Sequence, residues 1–333
     1  MDTLEVVDMH TGGEPVRIVV AGYPELPKGT ILEKRAHVRD RLDHLRRILI
    51  FEPRGHYDMY GALLVEPDLP GADIAALFMH NEGYSTMCGH AVIALGRYAV
   101  DHGLVPTVEP VTRVGIECPC GLVVAHVEVR DGKAGAVSFE SVPSFLFAAD
   151  RIVSLPGFGD IRFDVAYGGA FYALADAAQF GLAFGNSPAR AFVDAATALT
   201  AAVRGSVPLS HPDSADLAFL YGSILTDGGD GAGGVATRNV CVFADAQVDR
   251  SPTGSGVTAR LAAMHARGSV AAGETRLFES IVGSRFTGAV VRTAQVGSHA
   301  AIVARVSGRS HYSGRASFVV EPDDELGRGF LVV

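Results

Sequence analysis

Two segments of this sequence carry side chains that can do chemistry, and they align without a gap. Met87-Cys88-Gly89-His90 leads into residues 91–103, and Pro252-Thr253-Gly254-Ser255-Gly256 leads into residues 257–268, with Cys88 opposite Thr253. Each reads as a loop that turns into a helix. Val92, Leu95 and Ala99 recur about one turn apart in the first, as do Val257, Leu261 and Met264 in the second. The helices close at His102-Gly103 and Arg267-Gly268. A helix N-terminus carries unpaired N–H groups and a partial positive charge. A cysteine placed there spends more time as thiolate. A carboxylate can be held there by backbone N–H groups alone, which Gly89, His90, Gly254 and Ser255 are placed to supply. If two such starts close on one substrate, the carbon beside its carboxylate lies between a thiol and a hydroxyl.

Asp249, four residues before Thr253, has no acidic counterpart in the first segment, where Tyr84 stands. An acid on one side only suits an amine beside the carboxylate. Each of these residues also has a plainer reading when taken singly. Cys88 is then a buried thiol, Thr253 a helix cap, Asp249 a solvated turn residue and His90 a packing residue. The functional alternative for His90 is a hydrogen-bond partner that holds the thiolate. The duplication is what favours chemistry.

The likeness between the two halves extends to the elements that must position these starts. Asp8-Met9-His10-Thr11-Gly12-Gly13 matches Asp164-Val165-Ala166-Tyr167-Gly168-Gly169, and Tyr60-Gly61-Ala62-Leu63-Leu64 matches Tyr221-Gly222-Ser223-Ile224-Leu225. Helical stretches are expected near residues 39–49 and 192–203. The order of matches is the same in both halves, which implies two similar domains rather than a solenoid. Hairpin signals such as Val129-Arg130-Asp131-Gly132-Lys133 favour mostly antiparallel strands. The expected fold class is α+β: two duplicated domains of mostly antiparallel strands around a central helix, with the active site in the interdomain cleft. The first domain is expected over 1–155, joined by the tail 317–333, and the second over 156–316. Residues 150–164 are read as the crossing between them.

Composition narrows the function. The chain has 333 residues, a formal charge of −9 and 48% hydrophobic residues. It has no long Lys/Arg cluster, which argues against nucleic acid and an anionic membrane surface. No apolar run approaches spanning length and no leader-like segment opens the chain, so a cytoplasmic location is expected. Four cysteines, Cys88, Cys118, Cys120 and Cys241, form neither a disulfide framework nor a zinc pattern. Cys118-Pro119-Cys120 reads as strand and turn, and Cys241 as a small core residue. The twelve histidines show no metal-ligand spacing, so no metal is expected.

These segments resemble the proline racemase family, whose members share a diaminopimelate-epimerase-like fold. The residues that carry the likeness are Asp8-Met9-His10-Thr11-Gly12-Gly13-Glu14-Pro15, Glu52-Pro53-Arg54-Gly55-His56, Met87-Cys88-Gly89-His90, Asp249-Arg250-Ser251-Pro252 and Gly254-Ser255-Gly256. The resemblance implies cofactor-free removal of the α-proton of proline or a hydroxyproline. It puts the catalytic pair on Cys88 and Thr253, the carboxylate site on Gly89, His90, Gly254 and Ser255, and the amine partner on Asp249. No cofactor is implied, the partner is a small hydroxyproline substrate, and a homodimer is compatible with the reading.

One departure matters. Racemases and epimerases of the family carry cysteine at both catalytic positions, whereas this chain has Thr253. That replacement resembles the family's trans-3-hydroxy-L-proline dehydratases. A threonine hydroxyl is far too weak an acid to exchange roles with a thiol near neutral pH. The carbanion made by Cys88 then needs another exit, and loss of a C3 hydroxyl as water provides one. The rival readings are a 4-hydroxyproline epimerase or proline racemase, and, in another class, a non-catalytic amino-acid binding protein. A nucleotide-binding oxidoreductase is suggested by Gly229-Asp230-Gly231-Ala232-Gly233-Gly234. However, the strand-like Asn239-Val240-Cys241-Val242-Phe243 follows it where a helix is required, so a hairpin loop is expected there.

Overall fold

The computed structural model describes residues 3–332. Met1, Asp2 and Val333, which belong to the expected first domain and its tail, lie outside the described residues. The chain divides into two compact units, one formed by Met1–Ser138 with Arg309–Val333 and the other by Phe139–Gly308.

In the first unit β1 (Leu4–Thr11) and β2 (Glu14–Ala21) form an antiparallel hairpin over Gly12-Gly13. Two helices follow, α1 (Ile31–Arg41) and α2 (Asp43–Ile50). Thr30 starts α1 with a capping box to Glu33. The single helix expected near residues 39–49 is interrupted at Leu42. There the Asp43 carboxylate, at the start of α2, accepts hydrogen bonds from Nε and Nη2 of the buried Arg46, at 2.7 and 2.9 Å. The chain then re-enters as β3 (Gly61–Val65), parallel to β2, and β4 (Ile74–Met79), antiparallel to β3. β5 (Tyr84–Ser85) pairs with the end of β4 and delivers the chain to α3 (Gly89–Asp101). β6 (Val111–Cys118) lies parallel to β4 and turns through Pro119-Cys120 into β7 (Gly121–Arg130). The closing strand of this unit, Ser310–Phe318, comes from the far end of the chain and pairs antiparallel with β1. The helix α3 packs on β1, β2, β6, β7 and that closing strand. It is buried on every side over its first two turns, and its apolar sequence there satisfies that position.

The strand β8 (Lys133–Glu140) spans the division at Ser138/Phe139. In the second unit, β9 (Ser144–Leu155) and β10 (Gly159–Tyr167) form an antiparallel hairpin. Residues 150–164, read from the sequence as a crossing segment, are therefore the turn of this hairpin and the paired strand on either side of it. From β10 onward the pairings follow the order seen in the first unit. β11 (Phe171–Asp176) pairs antiparallel with β10 and is followed by α4 (Ala189–Ser206). β12 (Leu220–Thr226) then lies parallel to β11, and β13 (Thr237–Phe243) antiparallel to β12. The segment from Asp227 to Ala236 joins β12 to β13 as a hairpin loop, without the helix that a dinucleotide fingerprint needs. β14 (Gln247–Asp249) pairs with the end of β13 and delivers the chain to α5 (Gly254–Ala266). β15 (Thr275–Ser280) lies parallel to β13, and β16 (Arg285–Val296) and β17 (His299–Gly308) complete the unit. The helix α5 packs on β9, β10, β11, β16 and β17. The architecture is α+β with strands dominant.

The two central helices are each 13 residues long and end alike. Gly103 and Gly268 have φ of 65° and 74°, which only glycine adopts freely. Past each glycine a six-to-one hydrogen bond closes the helix, Leu104 N–H to Ala99 and Ser269 N–H to Met264, at 2.8 and 2.9 Å.

Candidate active site

The two helix starts are described in turn, each within its own unit. Cys88 caps α3 from an extended backbone (φ −146°, ψ 106°), and its Sγ accepts the Ala91 N–H at 3.4 Å. His90 Nδ1 lies 3.1 Å from the same sulfur. Both residues are buried. The His90 carbonyl accepts the Thr11 hydroxyl at 2.8 Å, so the turn at the end of β1 braces the first turn of α3. The Tyr60 ring meets the His90 ring edge-on at 4.9 Å, and the Tyr60 hydroxyl lies 2.5 Å from Ser85 Oγ. The imidazole is thus set against the thiol by a ring wedge from the residue preceding β3. No acidic residue stands in the first turn of α3 to cancel its positive end.

The other cysteines differ. The Cys120 N–H donates to the Thr86 carbonyl at 3.0 Å, tying the β6–β7 turn to the segment before Cys88. Burial pushes the Cys118 thiol well up, with further contributions from Cys120, Cys88 and Glu117. Cys118 is therefore a structural thiol rather than a nucleophile. Cys241 is fully buried on β13, as its apolar surroundings in the sequence predict.

The start of α5 is built differently at the backbone. Thr253 has φ 64° and ψ 94°, a left-handed conformation that a β-branched residue takes at a cost. Its carbonyl accepts the Val257 N–H at 2.7 Å and opens the helix, but its side chain makes no cap hydrogen bond. Oγ1 is buried and has no hydrogen-bond partner among the described residues. The helix-cap reading of this threonine therefore does not hold. A threonine serving only as an N-cap has an extended backbone and bonds an N–H of the first turn.

Upstream, Asp249 Oδ1 accepts the Ser251 N–H at 2.7 Å, and Ser251 Oγ accepts the Thr253 N–H at 3.0 Å. Asp249 is buried at the end of β14, where the solvated-turn alternative placed it at the surface. Ser255 Oγ lies 2.7 Å from the Tyr172 hydroxyl, a phenol that burial pushes well up and keeps neutral. The Ser255 hydroxyl is therefore engaged within the unit.

Within the first unit the structure brings Cys88, Gly89 and His90 together, and within the second it groups Asp249, Thr253, Gly254 and Ser255. Thr11, Tyr60, Ser251 and Tyr172 support these groups and were not singled out from the sequence. Thr11 and Tyr60 did stand in the matched segments, which is the signal that could have found them. Among the described residues, no group of three or more His, Cys, Asp or Glu is placed to share a metal ion. No helix among them is long and apolar enough to cross a membrane.

Comparison with known proteins adds the family. The human trans-3-hydroxy-L-proline dehydratase is 56% identical over 334 residues, covering 99% of this chain and 94% of that protein. An enzyme of the same name from Burkholderia cenocepacia is 46% identical over 330 residues, covering 99% of this chain and 98% of that protein. Among solved structures, a hydroxyproline epimerase from Agrobacterium vitis with bound trans-4-hydroxy-L-proline superposes with a TM-score of 0.92 at 31% identity. It covers 99% of this chain and 96% of that one. The family model described as proline racemase matches residues 6–331, and with that span of agreement the chain belongs to the proline racemase family.

Proposed function

We propose that this chain catalyses the cofactor-independent dehydration of trans-3-hydroxy-L-proline to Δ1-pyrroline-2-carboxylate, with its two helix starts acting on one substrate. The observation that carries the reading is Thr253. It stands at the α5 start as Cys88 stands at the α3 start, buried, with a hydroxyl that has no hydrogen-bond partner among the described residues. Curated relatives 46–56% identical over nearly their full lengths bear the dehydratase name, which supports the same reaction.

The steps follow from the side chains. The N–H groups of Gly89, His90, Gly254 and Ser255 hold the substrate carboxylate, and Asp249 faces the ring amine. With the carboxylate held in a dry site, negative charge developing at C2 is stabilised electrostatically. The Cys88 thiolate takes the C2 proton. In the trans isomer the C2 hydrogen and the C3 hydroxyl share one ring face. The electron pair of the broken C–H bond forms the C2=C3 double bond, the C3–O bond breaks, and the Cys88 thiol returns its proton to the departing hydroxide as water. The resulting enamine moves a proton from nitrogen to C3 and becomes the cyclic imine. Thr253 cannot reprotonate C2 from the opposite face at a competing rate, so elimination wins over inversion.

The same proposal treats the two units as copies of one domain and places the enzyme in the cytoplasm. A panel of proline and hydroxyproline stereoisomers tests it by product analysis. The expected result is loss of water from trans-3-hydroxy-L-proline and little turnover of proline or 4-hydroxyprolines. Inversion of a 4-hydroxyproline or of proline as the main activity would make the chain an epimerase or racemase instead.

A further inference from the structure

Thr253 holds a costly backbone conformation, and the second unit contains a device that imposes it. The peptide joining Pro252 to Thr253 is planar, so its carbonyl and its N–H turn together. Both ends are gripped. Asn239 Nδ2 donates to the Pro252 carbonyl at 3.1 Å, and the Thr253 N–H donates to Ser251 Oγ at 3.0 Å. With the plane fixed and the Thr253 carbonyl bonded into the first turn of α5, the left-handed φ is set from both sides.

The polarity of the Asn239 amide is itself determined. Arg260 Nη1 lies 3.0 Å from Asn239 Oδ1, and a guanidinium has donors only. The oxygen must face Arg260, which turns the NH₂ group to Pro252. Arg260 is buried in the second turn of α5, with Nη2 on the Gly229 carbonyl and on Thr237 Oγ1 and with the Phe278 ring 5.0 Å away. Thr237 passes the chain on by donating to Asp227 at 2.7 Å. Burial pulls the guanidinium down to about 10, which leaves it cationic at neutral pH. Asn239 is fully buried at the same place.

We propose that Asn239 is a positioning residue for Thr253. Oriented by Arg260, it holds the Pro252–Thr253 peptide so that Thr253 Oγ1 and the first N–H groups of α5 face the substrate. The inference rests on the reading of Thr253 as a substrate-facing residue.

The discriminating variant is Asn239→Asp. It keeps the size and gives Arg260 a carboxylate partner, but it replaces the donor to Pro252 with an oxygen. The expected result is an enzyme folded at assay temperature whose KM for trans-3-hydroxy-L-proline and Kd for pyrrole-2-carboxylate both rise about tenfold, with kcat changed by less than about threefold. Ser251→Ala removes the other grip. It is expected to raise KM in the same way, and it carries the test alone if Asn239→Asp does not fold. Thermal unfolding in a Thr253→Gly background supplies the second readout, because glycine takes φ 64° freely. Each substitution is expected to lower Tm more there than it does beside Thr253, where release of the costly backbone offsets part of the lost hydrogen bond. An unchanged KM and Kd, or equal Tm losses in both backgrounds, would overturn the positioning role. The underlying reading fails separately, and visibly, if Thr253→Gly leaves kcat, KM and the products of every isomer unchanged.

Discussion

His90 Nδ1 stands 3.1 Å from the sulfur of Cys88, two residues away at the start of the same helix. Thr11 holds the His90 backbone and Tyr60 packs on its ring, so the imidazole is fixed where it can share a proton with the thiol. If Cys88 is the base, Cys88→Ser lowers kcat for dehydration by at least about 10³-fold at saturating substrate while circular dichroism stays unchanged. If His90 supports the thiolate, His90→Ala slows alkylation of Cys88 by iodoacetamide roughly tenfold near neutral pH. An alkylation rate equal to wild type would remove His90 from that role.

Under the proposed mechanism, Thr253→Cys supplies a group acidic enough to protonate the second face of the α-carbon. The variant is expected to invert a hydroxyproline at C2 at a rate roughly tenfold or more above wild type, read by chiral chromatography. Its side chain remains compatible with the site, since both residues are small and the clamp on the preceding peptide is untouched.

Gly168 lets the end of β10 approach the first turns of α5 at backbone distance. A Cβ there would lie 2.2 Å from the Ser255 carbonyl oxygen and 2.7 Å from the Ala259 nitrogen. Neither atom can yield without moving the helix start. Gly168→Ala is expected to cost about 1–3 kcal/mol in stability and to weaken binding of pyrrole-2-carboxylate, by thermal unfolding and calorimetry respectively. A stable variant with wild-type affinity would show that α5 tolerates displacement at its start.

The helix starts were legible in the sequence because their signals are local: a periodic apolar face, a closing glycine and a polar residue at the cap. The turn at Cys118-Pro119-Cys120 and the hairpin loop holding the glycines from Gly229 to Gly234 were legible for the same reason. The course of residues 150–164 was not. β9 pairs with its neighbour β10 across a short turn and with the distant β17, and no short pattern announces the second pairing. For the same reason the compact units divide at Ser138/Phe139 rather than near 155. The left-handed backbone of Thr253 was equally hidden, because sequence pattern assigns threonine before a helix to an ordinary cap. It becomes intelligible only with Asn239 and Arg260 in place, residues 14 and 7 positions away with no spacing motif to link them.

The central claim is that Cys88 removes the C2 proton and that the proton is not replaced from the Thr253 side. Incubation of trans-3-hydroxy-L-proline in deuterated water, with product and residual substrate examined by NMR and chiral chromatography, tests it most directly. The account predicts Δ1-pyrroline-2-carboxylate as product and residual substrate that keeps its C2 configuration. Recovery of the C2-inverted amino acid carrying deuterium at C2, formed as fast as or faster than the imine, would contradict it.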